Sequence, residues 1–121
     1  MVDPQEHALV VRAFDLSVGP RGYVGGFVEW DGDQEMIAAR ADLGGLTPKA
    51  IRRMTIDFVR DGGRIDQRVE ERENHLDFAF YYRVIVPAEG FPRGIFVELR
   101  LVDDDPGAPV VHIVSAHRQG V

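Results

Sequence analysis

The chain contains no cysteine among its 121 residues. A disulfide framework, a thiolate nucleophile and a cysteine-ligated zinc site are therefore excluded. No apolar run approaches the length that crosses a bilayer, and Met1 to His7 are polar and acidic rather than a basic stretch leading into an apolar one. These absences predict a cytoplasmic protein without a membrane partner.

Lysine is almost absent too, since Lys49 is the only lysine among fourteen basic residues. The net charge of −6 argues against a general nucleic-acid coat, because phosphate binding depends on clustered basic side chains. The charge is also uneven: residues 1–45 hold three arginines against eight acids, and residues 46–121 hold eleven bases against twelve acids. An anionic ligand is therefore expected in the second part.

Length and composition are those of one globular domain. The chain has a common domain size, with 45 % hydrophobic and 28 % charged residues. We expect a single α+β domain over residues 1–121, and the first element predicted is an N-terminal β-hairpin. Its strands would be Leu9 to Val18 and Tyr23 to Trp30, joined by a turn at Gly19-Pro20-Arg21-Gly22.

One or two helices should follow the hairpin. Asp31-Gly32-Asp33 is compatible with a tight turn into a strand or with the N-cap of a short helix from Gln34 to Asp42, and the alanines there favour the helix. Thr47-Pro48 is a strong helix start, and Gly62-Gly63 a helix stop. The apolar residues of this main helix recur at helical spacing, so they should face the core: Ile51, Met54, Phe58 and Val59.

Four extended segments separated by turn residues follow: Arg64 to Arg72, Asp77 to Val86, Ile95 to Val102 and Val110 to His117. The second and third alternate apolar with polar residues, which is typical of strands with one covered face. They predict a four-stranded antiparallel meander packed on the main helix.

Known catalytic signatures are missing from the chain. It has no phosphate-binding loop, dinucleotide turn, nucleophile elbow or His-x-x-x-His zinc helix, and its four histidines fall in different predicted elements. We therefore expect neither a metal nor a cofactor.

The C-terminal strand concentrates groups that could carry chemistry, namely His112, Ser115, His117 and Arg118. Imidazole can exchange protons near neutral pH. Strict alternation puts His112 and His117 on opposite sides of the strand, so they can serve one site only if a bulge or a strand end lies between them. In the plainer interpretation His112 is an ordinary sheet residue and His117-Arg118 a solvated strand end.

Further candidates lie on the neighbouring strands. Arg83, Arg100 and Arg118 could form a cationic floor that holds a phosphodiester. The arginines could equally pair with Glu98 and nearby acids. Tyr81, on the same strand face as Arg83, could stack on a base.

Several short motifs occur in a familiar order: Phe27-Val28-Glu29-Trp30-Asp31, a helix starting near Leu46-Thr47, Glu70-Glu71-Arg72, and His112-Ile113-Val114-Ser115-Ala116-His117-Arg118. Over about residues 27–118 this order resembles BrnT-type toxins, which are bacterial ribonucleases of the RelE-like fold. Ser115, Ala116 and the basic Arg118 match that family's closing strand. His117 stands where the family usually has arginine, and the predicted strand Leu9 to Val18 has no counterpart.

The resemblance implies a metal-independent, toxin-like domain that cleaves RNA. His117 or His112 would exchange protons with the ribose 2′-hydroxyl and the leaving oxygen, and Arg118, Arg83 and Arg100 would stabilise the phosphorane. Tyr81 and Ser115 would contact the substrate.

The alternative is a noncatalytic interaction module, such as an immunity-like, antitoxin-like or phage-encoded inhibitor domain. The acids Asp31, Asp33 and Glu35 of the N-terminal hairpin would then meet a basic protein partner. A homodimer is compatible with either function.

Overall fold

The computed structural model describes residues 2–40, 43–75 and 77–118, without the side chains of residues 39 and 40. The described part has three α-helices, seven strands and a short 3₁₀ turn at Glu73–His75. The helices are α1 Pro4–Leu16, α2 Gly32–Arg40 and α3 Pro48–Arg60; the strands are β1 Val18–Gly19, β2 Gly22–Tyr23, β3 Val28–Trp30, β4 Asp66–Val69, β5 Phe80–Ala88, β6 Phe91–Asp103 and β7 Val110–Arg118. This is the expected α+β class.

The predicted strand over residues 9–18 is wrong, because those residues belong mostly to α1. Asp3 caps this helix by accepting hydrogen bonds from the backbone N–H groups of Gln5 and Glu6, and Pro4 begins it. Its buried residues, Val10, Ala13 and Phe14, are spaced for one helical face. Of the predicted N-terminal hairpin only a ladder of two residues per strand remains, with Val18 opposite Tyr23 across the predicted turn.

The four-stranded meander is present, although its strand limits differ from the predicted ones. Strands β4, β5, β6 and β7 form successive antiparallel pairs, and β3 adds to the far edge of β7 in parallel, so the sheet has five strands and is mixed. β6 begins earlier than predicted, at Phe91. It passes Gly94 with φ of 79°, where a Cβ would lie 2.8 Å from the Val86 carbonyl oxygen, so glycine is required there.

Helix α3 begins and ends where predicted, at the Thr47 cap and before Gly62. Its core face is rotated from the predicted one, since Ile51, Thr55, Ile56 and Val59 are buried. Phe58 is only partly buried, and Met54 likewise packs at the edge of the core. α1 and α3 pack together on one face of the sheet.

The helical alternative is confirmed for the segment after β3, since Gly32–Arg40 is helix α2. Residues 41–42, the predicted end, lie outside the described residues. Asp33 and Glu35 therefore lie in the first turn of a helix rather than on a hairpin. None of the helices in the described ranges is long and apolar enough to cross a bilayer.

Candidate functional site

The sheet face turned away from α1 and α3, called the open face here, carries most of the candidate residues. On β6, Val97, Leu99 and Leu101 point into the core. Glu98 and Arg100 alternate with them and therefore point to the open face. Both are nevertheless buried, because α2 and the β4–β5 connection flank this face.

A β-bulge in β7 changes which side of the sheet its histidines occupy. Glu98 pairs with Ser115 but Leu99 pairs with Ile113, so one extra residue, Val114, lies between the two paired positions. His112 is opposite Arg100 and His117 is opposite Phe96, and these two β6 residues share one face. The bulge therefore places both histidines on the open face. This is the irregularity that the sequence analysis named as the condition for a shared site.

Between α2, β6, β7 and the β4–β5 connection lies a groove of about 350 Å³, called the open-face groove here. It is bordered by Asp31 and Gln34 at the start of α2. Six further polar side chains line it: Arg72, His75, Glu98, Arg100, His112 and Ser115. Two imidazoles, two guanidiniums and two carboxylates thus share one depression.

The two guanidiniums are held by two carboxylates. Arg72 donates from Nε to Glu70 Oε1 at 2.8 Å and from Nη2 to Glu98 Oε2 at 2.9 Å. Arg100 Nη2 donates to Glu98 Oε2 at 3.3 Å, and Arg100 Nη1 lies 3.1 Å from Glu70 Oε2. The four side chains form a neutral ion-pair network beneath the groove.

Exposure differs sharply within this network. The Glu70 side chain is fully buried and that of Arg100 is 5 % exposed, whereas that of Arg72 is 48 % exposed. Hydrogen bonds from the Arg72 side chain lower the pKa of Glu70 to about 2, although burial opposes this. Hydrogen bonds from Glu70 and Glu98 raise the pKa of Arg72 further above its usual range. Arg72 is the cation of the network that solvent reaches most easily.

The Nη1 atom of Arg100 is buried and ion-paired but makes no hydrogen bond to a described residue. It is close enough to Glu70 for Coulomb attraction, but the geometry is not that of a hydrogen bond. A buried donor without an acceptor costs about 1–3 kcal/mol. The attraction between Nη1 and the Glu70 carboxylate 3.1 Å away offsets part of this cost.

The groove includes three of the seven residues predicted from the sequence: His112, Ser115 and Arg100. Arg83 and Tyr81 lie next to it on β5. Arg83 pairs with Asp66 at 3.3 Å and stands opposite Glu98, while the Arg72 guanidinium covers the ring of Tyr81 at 4.7 Å. The ion-pair interpretation of the arginines therefore describes this structure better than a free cationic floor.

The last two predicted residues lie outside the groove. His117 is on the open face but beyond the groove, with its ring stacked on Phe96. Arg118 stands over the ring of Phe91 at 4.4 Å and donates to the Gly90 carbonyl at 3.2 Å. Strand alternation turns Arg118 to the other side of β7, so it does not join His112.

Arg72 and His75 line the groove but were not among the predicted site residues. The sequence predicts Arg72 only as the end of the extended segment Arg64 to Arg72, and His75 falls in the break before the next segment. The available signal was Glu70-Glu71-Arg72 itself, because an arginine two residues after an acid on a strand can fold back onto it. The tertiary packing of this connection against β6 was not visible in the sequence.

No group of three or more side chains suited to holding a metal ion occurs in the part of the chain that the structure describes. Comparisons with family models, curated proteins and solved structures found no match to this chain.

Proposed function

We propose that this protein is a metal-independent ribonuclease whose active site is the open-face groove. The observation that carries the proposal is the meeting of His75 and His112 with Arg72, Arg100 and Glu98 in one depression. RNA transesterification needs a base, an acid and cationic donors near the phosphate. The groove contains each of these groups.

The chemistry assigns one role to each imidazole. One of His112 and His75 removes the proton of the ribose 2′-hydroxyl, and the 2′-oxygen attacks the adjacent phosphorus. The bond from phosphorus to the 5′-oxygen breaks, and the other histidine donates a proton to that oxygen. The products are a 2′,3′-cyclic phosphate and a 5′-hydroxyl.

Arg72 and Arg100 stabilise the phosphorane, and Glu70 and Glu98 balance their charges in the free protein. Arg72 is the more exposed cation and donates to the phosphate, whereas Arg100 is almost fully buried. Glu98 holds both guanidiniums in place through hydrogen bonds. In this proposal His75 and Arg72 take the roles first assigned to His117 and Arg118.

The order of elements also supports the proposal. β3, α2, α3 and the four-strand meander follow one another as the motifs similar to BrnT-type toxins do. Helix α1 precedes that order and lies on the opposite side of the sheet from the groove.

The test uses purified protein and single-stranded RNA in the presence of EDTA. The wild type should cleave RNA to 2′,3′-cyclic phosphate ends. His112→Gln and His75→Gln should each slow cleavage by about 10²-fold or more, because each removes one proton-transfer group. His7→Gln is the matched control, since the His7 ring contacts the Ile65 carbonyl away from the groove.

Cleavage that requires an added metal ion would remove the metal-independent part of the proposal. A wild type that leaves RNA intact, or His112→Gln and His75→Gln variants as active as the control, would contradict the enzyme itself.

The interaction module remains a second candidate because of one feature of α2. Met36 and Ile37 are 57 % and 61 % exposed, next to the acidic side chains of Asp33 and Glu35. Adjacent exposed apolar residues with an acidic rim suit a basic, amphipathic protein segment. If the wild-type protein does not cleave RNA, titration with a synthetic Lys- and Leu-rich helical peptide tests this surface. The double variant Met36→Ser, Ile37→Ser should abolish peptide binding. Unchanged binding by this variant would contradict the interaction module.

A further inference from the structure

The ring of His117 stacks on the ring of Phe96, with centroids 4.7 Å apart and planes inclined by 21°. Phe96 is partly buried, whereas His117 is exposed. One face of the imidazole is therefore supported by a neighbouring ring, and the rest of the residue is open to solvent. An exposed, supported ring of this kind is a platform on which another flat ring can stack.

This platform and the groove lie on the same face of the sheet. The pair Phe96 and His117 is two residues along β6 from the pair Glu98 and Ser115, of which both members line the groove. Two residues of an extended strand span about 7 Å. That distance is comparable to the spacing between successive nucleotides in an extended single-stranded nucleic acid.

We propose that His117, backed by Phe96, is a nucleobase-stacking subsite next to the open-face groove. The inference rests on the proposed function and names its substrate as single-stranded RNA, because a base in a duplex is already stacked and cannot reach the platform. The base of a nucleotide next to the cleaved phosphate packs on the imidazole. His117 thus binds the substrate instead of transferring a proton.

The β-bulge is the feature that makes the subsite possible. Without the extra residue at Val114, alternation would turn His117 to the opposite side from His112. The bulge brings the platform to the side of the groove while Ala116 stays in the core. The two functions of β7, lining the groove and presenting a ring, depend on the same irregularity.

The test measures binding of a fluorescently labelled single-stranded DNA oligonucleotide, which lacks the 2′-hydroxyl and cannot be cleaved by transesterification. His117→Ala should weaken binding about 10-fold, because stacking on an aromatic ring contributes that much affinity per base. His117→Phe keeps a stacking ring without a titratable group and should bind like the wild type. His7→Ala is the control, and circular dichroism and thermal melting verify that each variant folds.

Three results would overturn the subsite. The wild type does not bind the oligonucleotide, His117→Ala binds it as tightly as the wild type, or His117→Phe weakens binding as much as His117→Ala does. RNA cleavage measured in parallel separates the two proposals. Cleavage with a KM unchanged by His117→Ala leaves the ribonuclease standing and removes the subsite. The expected binding pattern without any cleavage removes the ribonuclease and keeps the subsite.

Discussion

At the scale of single residues, Glu70 is a tightly held buried charge. It is fully buried and accepts hydrogen bonds from the backbone N–H and the side chain of Arg72. It is also 3.1 Å from Arg100. A buried carboxylate stays ionised only when such partners replace the water it has lost. Glu70 therefore determines where Arg72 and Arg100 lie.

Glu70→Gln should destabilise the protein by about 3 kcal/mol at pH 7, because the folded-state pKa of about 2 lies well below the ordinary value of 4.5. A lowered pKa means that the ionised carboxylate stabilises the fold above pH 4.5. This contribution is lost as the pH falls through about 2. Urea unfolding of wild type and variant between pH 7 and pH 2 measures the difference.

The neighbouring Glu71→Gln is the matched control, since Glu71 is exposed and should change stability by less than about 0.5 kcal/mol. A stability difference for Glu70→Gln that stays constant between pH 7 and pH 2 would show that the charge of Glu70 is not what stabilises the fold.

At the scale of elements, α3 shows how a helix identified correctly can still present a different face to the core. Ile56 is fully buried, while Phe58 lies at the helix end, where a Cβ on Gly63 would overlap its ring. The spacing of the apolar residues allowed several neighbouring faces, because the apolar stripe of a helix is broad. Packing against α1 and β5 selected the face with Ile51, Thr55 and Ile56.

Ile56→Ala should therefore cost about 2–5 kcal/mol, because it leaves a cavity in a fully packed site. Phe58→Ala should cost only about 1–2 kcal/mol, since its partly exposed ring loses less buried area. Chemical denaturation of the two variants gives the comparison. A larger loss for Phe58→Ala than for Ile56→Ala would mean that the helix is rotated back toward the face predicted from the sequence.

At the scale of the whole molecule, a polar network joins the N-terminal helix to the sheet. The Tyr82 hydroxyl donates to Glu6 Oε2 at 2.8 Å and accepts from Gln67 Nε2 at 2.7 Å. Gln67 Oε1 also accepts a hydrogen bond from the backbone N–H of Asp3 at 2.7 Å. Burial raises the pKa of Glu6, and the hydrogen bond from Tyr82 opposes that rise. Burial raises the pKa of Tyr82 as well, so its hydroxyl remains a donor.

Tyr82→Phe should lower stability by about 1–2 kcal/mol, because Glu6 and Gln67 each lose a partner. The loss should be larger above the raised pKa of Glu6, where the carboxylate is charged, and smaller at acid pH, where it is neutral. Unfolding measured at pH 7 and at pH 4 tests the direction. In the Tyr82→Phe variant, amide hydrogen exchange should show α1 losing protection before β6 does. A loss that is larger at pH 4 would contradict the role given to Glu6.

Elements with local signals could be predicted from the amino-acid sequence. Thr47-Pro48 and Gly62-Gly63 mark the ends of α3, and alternation with turn residues marks the four strands of the meander. These signals work because capping, turn geometry and side-chain period act within a few neighbouring residues. The apolar run over residues 9–18 lacked such a signal within itself, and its cap, Asp3, lies several residues upstream.

Three features could not be predicted from the sequence: the parallel pairing of β3, the bulge at Val114 and the set of residues that line the open-face groove. Each depends on register or packing between segments far apart in the chain. A one-residue change of register reverses the sides of all later side chains, so the location of His117 could not follow from alternation in β7 alone. His75 reaches the groove because a connection packs against a distant strand, and burial of Glu70 with Arg100 is what holds that connection there.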